Sequence, residues 1–198
     1  MRIVAGEFKG RRIVAPEGRG IRPTLEIVRE AVFDSLGARV RGARALDLFA
    51  GCGAMGLEAL SRGAAHVTWC DIEPRSLAAV RENIQKLGVA PSRCAVHHVA
   101  ALTAIRRFEK SGQLFDIVFV DPPYEDGLYD ETMLALAMNR LVLPGGVVVV
   151  EHGKRIEPEP TYGDLTRDRT RRYGESRISY YFRNEERSPE PTPAENVP

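Results

Sequence analysis

From Ala43 to Glu151 the chain alternates short β-branched apolar runs with longer stretches whose apolar residues recur at helical spacing. The runs predict strands near 44–48, 66–71, 94–98, 115–120 and 145–151, with helices near 54–62, 75–87, 100–110 and 129–140. Few folds accommodate that alternation. A helix between successive strands carries the chain back to the same edge of the sheet, so the strands run parallel and helices cover both faces. In such sheets ligands bind at the carboxyl ends of the strands. Asp47, Asp71 and Asp121 all fall there, so three acids crowd one rim.

The flanks differ. Residues 2–15, RIVAGEFKGRRIVA, hold two short β-prone runs around Gly6 and Gly10 and predict a hairpin. Arg22-Pro23-Thr24 then opens a helix reaching about Leu36, with Thr24 as N-cap and Gly37 as stop. Through Arg41 there are nine basic residues against five acids, an excess that suits a phosphate backbone, although charge alone favours a solvated face. Residues 162–183 predict an antiparallel hairpin turning near Tyr173-Gly174, and six arginines there face three acids. After Glu185 the chain is Pro, Glu and Ser with little to bury, which predicts disorder. The sequence thus divides into an extension over 1–41, a main domain over 42–184 and a tail over 185–198.

The net charge of +1 announces no nucleic-acid partner globally, so a basic surface has to come from local asymmetry. Cys52, Cys70 and Cys94 are odd in number and lack zinc spacing, which suits a reducing compartment. No apolar run reaches spanning length, and Met1-Arg2 leads into a mixed polar segment. The expectation is a cytoplasmic protein without a membrane partner. His97-His98 are adjacent strand residues pointing to opposite faces, so they predict no metal site.

The segment FDIVFVDPPY, Phe115 to Tyr124, is the most chemically pointed. An apolar strand stops on an acid, two prolines and an aromatic, because proline cannot continue a ladder. The Asp121 carboxylate and Pro122 carbonyl can converge on one donor, with Tyr124 beside them. A flat base carrying an exocyclic amine fits: two acceptors for its N–H groups and one ring for stacking. A strand ending in a proline-rich turn with an N-terminal Asp is the plainer alternative.

Asp47-Leu-Phe-Ala-Gly51-Cys-Gly53-Ala-Met-Gly56 joins the first strand to its helix. Gly51-x-Gly53-x-x-Gly56 with Asp71 downstream also fits the dinucleotide fingerprint. Asp47 argues against it. A pyrophosphate is repelled by that carboxylate, whereas an ammonium is attracted. S-adenosyl-L-methionine (SAM) carries an amino group and a sulfonium but no phosphate, so the acid favours SAM over NAD. Asp71 then suits the ribose hydroxyls, or caps the helix beginning at Pro74.

These segments, together with AGEFKGRR, RPTLEIVRE and YGESRISYY, resemble the bacterial 16S ribosomal RNA guanine-N2 methyltransferases, class I SAM-dependent enzymes. The likeness spans Arg2 to about Phe182. It implies a Rossmann-like α/β fold with a seven-stranded, mostly parallel sheet and an antiparallel last strand, and an N-terminal extension gripping RNA. It further implies that Asp47, Phe49, Gly51, Gly53, Asp71, Ile72 and Ala100 line the cofactor, and that Asp121, Pro122 and Tyr124 hold the base. Pro123, Arg11, Arg12, Arg22 and Thr24 would meet the RNA. The implied partner is 16S rRNA or an assembling small ribosomal subunit, met by a monomer. Val99-Ala100 stands where the family often has an acid or amide before Ala, which leaves adenine to backbone groups or to His98. Leu25 and Ile27 replace polar residues common in the family's RNA-facing helix. A DNA adenine-N6 or cytosine-N4 methyltransferase would share both motifs. An NAD-dependent reductase and a non-catalytic RNA-binding module are the remaining alternatives.

Overall fold

The computed structural model describes residues 1–15, 26–123 and 127–184. After α1 (Glu26–Leu36) comes the alternating series: β1 (Arg44–Asp47), α2 (Ala54–Ser61), β2 (His66–Asp71), α3 (Pro74–Leu87), β3 (Cys94–His98), α4 (Ala101–Lys110), β4 (Phe115–Val120), α5 (Leu128–Met138) and β5 (Val142–Gly153). A meander closes it: β6 (Thr161–Tyr162), β7 (Leu165–Tyr173) and β8 (Ser176–Arg183). All lie in one sheet of order β3-β2-β1-β4-β5-β8-β7-β6. Strands β1 to β5 pair in parallel, and β8 inserts antiparallel between β5 and β7.

Two expectations change. The sheet has eight strands rather than seven, because the two-residue β6 adds an edge ribbon to β7. The N-terminal hairpin reduces to a single antiparallel bridge between Arg2 and Arg12. Ile3 and Ile13 donate across it to the Arg11 and Met1 carbonyls, but other backbone donors are claimed from elsewhere: Val4 and Ala5 donate to the Glu58 carboxylate, Phe8 to Ser61 Oγ and Val14 to Asn83 Oδ1. A ladder cannot use donors already spent. The Thr24 cap and the residues after Glu185 lie outside the described residues.

Local sequence explains the helices. Pro74 occupies the first position of α3, where its missing N–H costs nothing, and Gly88 ends the helix in the left-handed region at φ 71°. One stripe of α4, Ala104, Ile105 and Phe108, is buried. The two faces of the sheet fill separately. Alternate strand residues such as Val147 and Val149 pack with α1, α2 and α3, whereas Val148 and Val150 pack with α4 and α5. Ile3, Phe8 and Ile13 join the first of these clusters, so the start of the chain shares its core with the sheet.

One buried carboxylate holds that start in place. Glu58 of α2 is fully buried and accepts from the Val4 and Ala5 backbone, from Arg29 of α1 at 3.4 Å and from Arg62 at 2.9 Å. Arg29, also fully buried, donates in addition to the Arg2 carbonyl. Charges out of water are tolerated only when paired and hydrogen-bonded throughout, as here. Replacing Glu58 by Ala strands a buried guanidinium and two backbone donors. It should cost about 3–5 kcal/mol of unfolding free energy, read by denaturant titration; a cost below about 1 kcal/mol would refute this account of how the N-terminus is seated.

Candidate active site

The strand order reverses between β1 and β4, whose neighbours on either side are β2 and β5. A crevice opens outside the carboxyl ends of strands at such a point. Asp47 ends β1, Asp71 ends β2, and Asp121 follows the last residue of β4. The rim of three acids therefore exists.

On the β1 side, the turn to α2 is shaped by its glycines. Gly51 has φ 52° and a Cβ built on it would meet nothing within 4 Å, so the backbone faces open space. Gly51 N–H donates to Asp71 Oδ2 at 2.8 Å, tying the turn to the end of β2. Gly56 serves packing instead: a Cβ there would lie 2.3 Å from Trp69 Nε1, so only glycine lets α2 rest on β2. Gly53 is the left-handed residue immediately before α2. Phe49 is partly open beside them.

Asp47 is 3% exposed, and among the described residues its Oδ2 has no hydrogen-bond partner. Burial raises its carboxyl, hydrogen bonds from Gly56 and Phe49 backbone groups oppose the rise, and the Asp71 charge adds to it. The outcome is a pKa of about 7. A buried acceptor with an unused oxygen is unusual in a finished core. It has the chemistry to receive an ammonium group, and that is how these residues fit the amino group of SAM.

Asp71 also accepts from Glu73 N–H at 2.8 Å, so it secures the entry to α3 while each oxygen keeps a lone pair for ribose hydroxyls. Ile72 is 64% exposed, an apolar side chain left open on the rim. His98 Nε2 lies 2.8 Å from the Ile72 carbonyl, and Ala100, exposed, immediately precedes α4. Ile72, His98 and Ala100 thus stand together just past the carboxyl ends of β2 and β3. His97 points the other way, its ring 5.5 Å from that of Phe108. Cys70 is buried, and burial, reinforced by Asp47 and Asp71, pushes its thiol up to about 12, so no thiolate nucleophile forms there.

On the β4 side, Asp121 opens into a small hollow lined also by Val32, Met55, Phe119, Val149, Glu151 and Ile178. Met55, in the first turn of α2 two residues after Gly53, forms one wall of this hollow. Pro122 is buried behind it and Pro123 is exposed. The Asp121 carboxyl is held well above the usual carboxylate range, first by burial, then by the charges of Glu151 and Asp47. Glu151 was not anticipated as a site residue. The signal was present: Val147 to Val150 followed by an acid has the pattern of the other rim strands, and Val120 pairs with Val150, although β5 itself continues to Gly153.

The N-terminal arginines do not converge on this site. Arg11 Nη2 donates to the Lys86 carbonyl at 2.5 Å, at the far end of α3, which runs back from the rim. Arg12 is exposed beside Arg2. Tyr124, Arg22 and Thr24 lie outside the described residues.

The family model described as conserved hypothetical protein 95 matches residues 1–182. The chain belongs to that family. The ribosomal RNA small subunit methyltransferase D of Escherichia coli is 36% identical to it over 76% of this chain and 74% of that one. A structure from Thermus thermophilus superposes with a TM-score of 0.79 at 28% identity, covering 93% of this chain and 99% of that one. An RNA methyltransferase of Salinibacter ruber, solved with S-adenosyl-L-homocysteine, shares the fold at TM-score 0.64 and 18% identity, over 85% and 98% of the two chains. In fold this member of the family is a class I methyltransferase.

Because Asp47 must be ionised to hold an ammonium, SAM affinity should fall as pH drops below about 7. The decline should approach tenfold per unit, with proton release on binding growing towards one proton as pH falls below about 7 and vanishing well above it. Calorimetry in buffers of different ionisation enthalpy measures both. Affinity flat from pH 5.5 to 8 would contradict the assignment.

Proposed function

We propose that this protein transfers the methyl group of SAM to the exocyclic N2 amine of a guanine in 16S ribosomal RNA. The reading is carried by Asp121, an acid at the end of β4 in a hollow that Met55 of α2 helps to wall. The relative named for the small-subunit RNA supports the substrate.

When bound, SAM supplies an electrophilic methyl group on a sulfonium. The chain's own residues do the rest. Asp47 takes the amino group, Asp71 the ribose, and Ile72 with Ala100 the adenine face. A guanine amine is a weak nucleophile because its lone pair is conjugated into the ring. Asp121 and the Pro122 carbonyl accept its two hydrogens and favour the pyramidal nitrogen that attacks. Tyr124 stacks the base and Pro123 borders it. As the N–C bond forms at the expense of the methyl–sulfur bond, whose electron pair stays on sulfur, the nitrogen has a proton to shed, and the Asp121 carboxylate, kept basic by Glu151, is placed to receive it. Placement supplies most of the rate, and the acid's charge the remainder.

Single-stranded RNA offers bases already unstacked, so recognition rests on shape and phosphate contacts rather than base reading in a groove. In this reading residues 42–184 hold the chemistry and residues 1–41, with Arg22 and Thr24, meet RNA or an assembling subunit. The protein acts as a cytoplasmic monomer. Among the described residues no helix is long and apolar enough to cross a membrane.

Two measurements test this. Tritiated SAM offered with small-subunit RNA from cells lacking the protein should label RNA and leave DNA unlabelled. Asp121→Ala should lower labelling at least ~100-fold with SAM affinity within about twofold of wild type; labelling at the wild-type rate would remove Asp121 from the mechanism. Secondly, kcat should rise with pH through an acidic limb lying above the ordinary carboxylate range, since Asp121 must lose its proton to accept the amine. Glu151→Gln deletes a neighbouring like charge and should move that limb to lower pH. A limb that stays in place or moves upward would separate Glu151 from the chemistry.

A further inference from the structure

The arginines of the closing meander are spent unequally along its length. At the end away from the rim, Arg167 donates to the Pro158 carbonyl at 2.7 Å and Arg183 to Asp164 at 2.7 Å and to the Val142 carbonyl. Arg169, midway along β7, is stacked over Tyr180 and donates to Asp168 and to the Ser35 carbonyl. Arg171, Arg172 and Arg177, nearest the turn, make no hydrogen bond or ion pair among the described residues. Arg171 and Arg172 are exposed and Arg177 half-exposed.

Register puts these three at the catalytic rim. Val150 pairs with Val120, so Glu151 stands beside Asp121; Glu151 pairs with Ile178, and Ile178 with Arg171. Asp121, Glu151, Ile178 and Arg171 therefore form one row across four neighbouring strands. Three strand spacings place Arg171 roughly 14 Å from Asp121 along that row. Arg171 also shares the sheet face of Ile178, which lines the hollow with Asp121. On the opposite face Arg172 pairs directly with Arg177, and Arg177 with His152. Like charges directly opposite across a ladder oppose folding. Such an arrangement is relieved by a polyanion lying over the turn.

We infer that the rim end of the β7–β8 hairpin, Arg171 with Arg172 and Arg177, is a ledge for the phosphates flanking the target base. The inference rests on the RNA reading above and locates the backbone contact at the hairpin rather than at Arg11. A base in the hollow leaves its strand crossing β5 and β8 toward β7, and about 14 Å spans two to three nucleotides of extended single strand. Arg171 meets the strand on the hollow's side of the sheet, and the Arg172–Arg177 pair meets it past the edge. The acids of the rim repel phosphate elsewhere, which leaves this exit as the favourable one.

The test is equilibrium binding of a 16S rRNA transcript to the full-length protein over a salt series, with methyl transfer measured alongside. Arg171→Gln should weaken binding about five- to tenfold near 0.15 M salt and lower the salt slope by about 0.7–0.9. The triple change of residues 171, 172 and 177 to Gln should lower the slope by about 2. In turnover, KM for RNA should rise while KM for SAM and kcat hold, as expected for contacts made equally in ground and transition states. Arg171→Lys should restore most of the binding. Lys110→Gln, at the end of α4 away from the rim, should change it less than twofold, and unchanged melting temperatures would exclude misfolding. Slopes and RNA KM at wild-type values in the triple variant would overturn the ledge while leaving the methyltransferase reading intact. Variant-sensitive binding without label in RNA would uphold the ledge and overturn the substrate. Absence of both from the wild type would overturn both.

Discussion

The buried Glu58 carboxylate is the joint on which the rest of the molecule turns. It gathers the backbone at Val4 and Ala5, the guanidinium of Arg29 and that of Arg62 around one point on α2. That gathering seats α1 on the sheet, and Val32 of α1 forms one wall of the hollow into which Asp121 opens. Ion pairs in a dry interior seldom add net stability over a hydrophobic equivalent, but they tolerate few alternative arrangements. Here the arrangement brings a segment distant in sequence against the site. A second polar latch works alongside: Asn83 holds both backbone groups of Val14 and donates to the Cys52 carbonyl in the glycine turn.

Around that frame the charges are sorted. Asp71, Asp47, Asp121 and Glu151 follow one another along the rim at β2, β1, β4 and β5, and the arginines without a hydrogen bond or ion pair among the described residues stand on the next two strands, β8 and β7. Two of these acids are raised by burial and by each other's company. The arrangement is costly for the empty protein and suited to a cationic cofactor next to an amine donor. A parallel sheet produces it economically, since every strand delivers its last residue to the same edge.

Much of this was legible in residue order. Strand–helix alternation implied the parallel sheet, and Asp-Pro-Pro implied where β4 ends, because proline lacks the donor a ladder needs. Asp47 before the glycines implied a cationic rather than a phosphate ligand. Glu151 was not among the expected site residues; it follows the apolar run Val147–Val150 inside β5, and only the pairing of Val150 with Val120 brings it level with Asp121. The nine basic residues before Ala43 were the less trustworthy signal. Arg11 is occupied by the Lys86 carbonyl, Arg29 is buried on Glu58, and Arg39 donates to the Gly145 carbonyl. A count of charges does not reveal which are already engaged.

What residue order alone determined is whatever depends on neighbours within a few positions: element type, the glycine turn, the stop at the prolines, and the acids at strand ends. These follow from backbone sterics and from periodicities of 2 and 3.6 residues. Tertiary structure decided which carboxylates stand side by side, which arginines remain available, and that the N-terminal runs spend part of their donors on α2 and α3 as well as on each other. Those outcomes depend on pairings between segments 50 or more residues apart, as between Val4 and Glu58, and only the folded sheet sets which groups compete for a given partner.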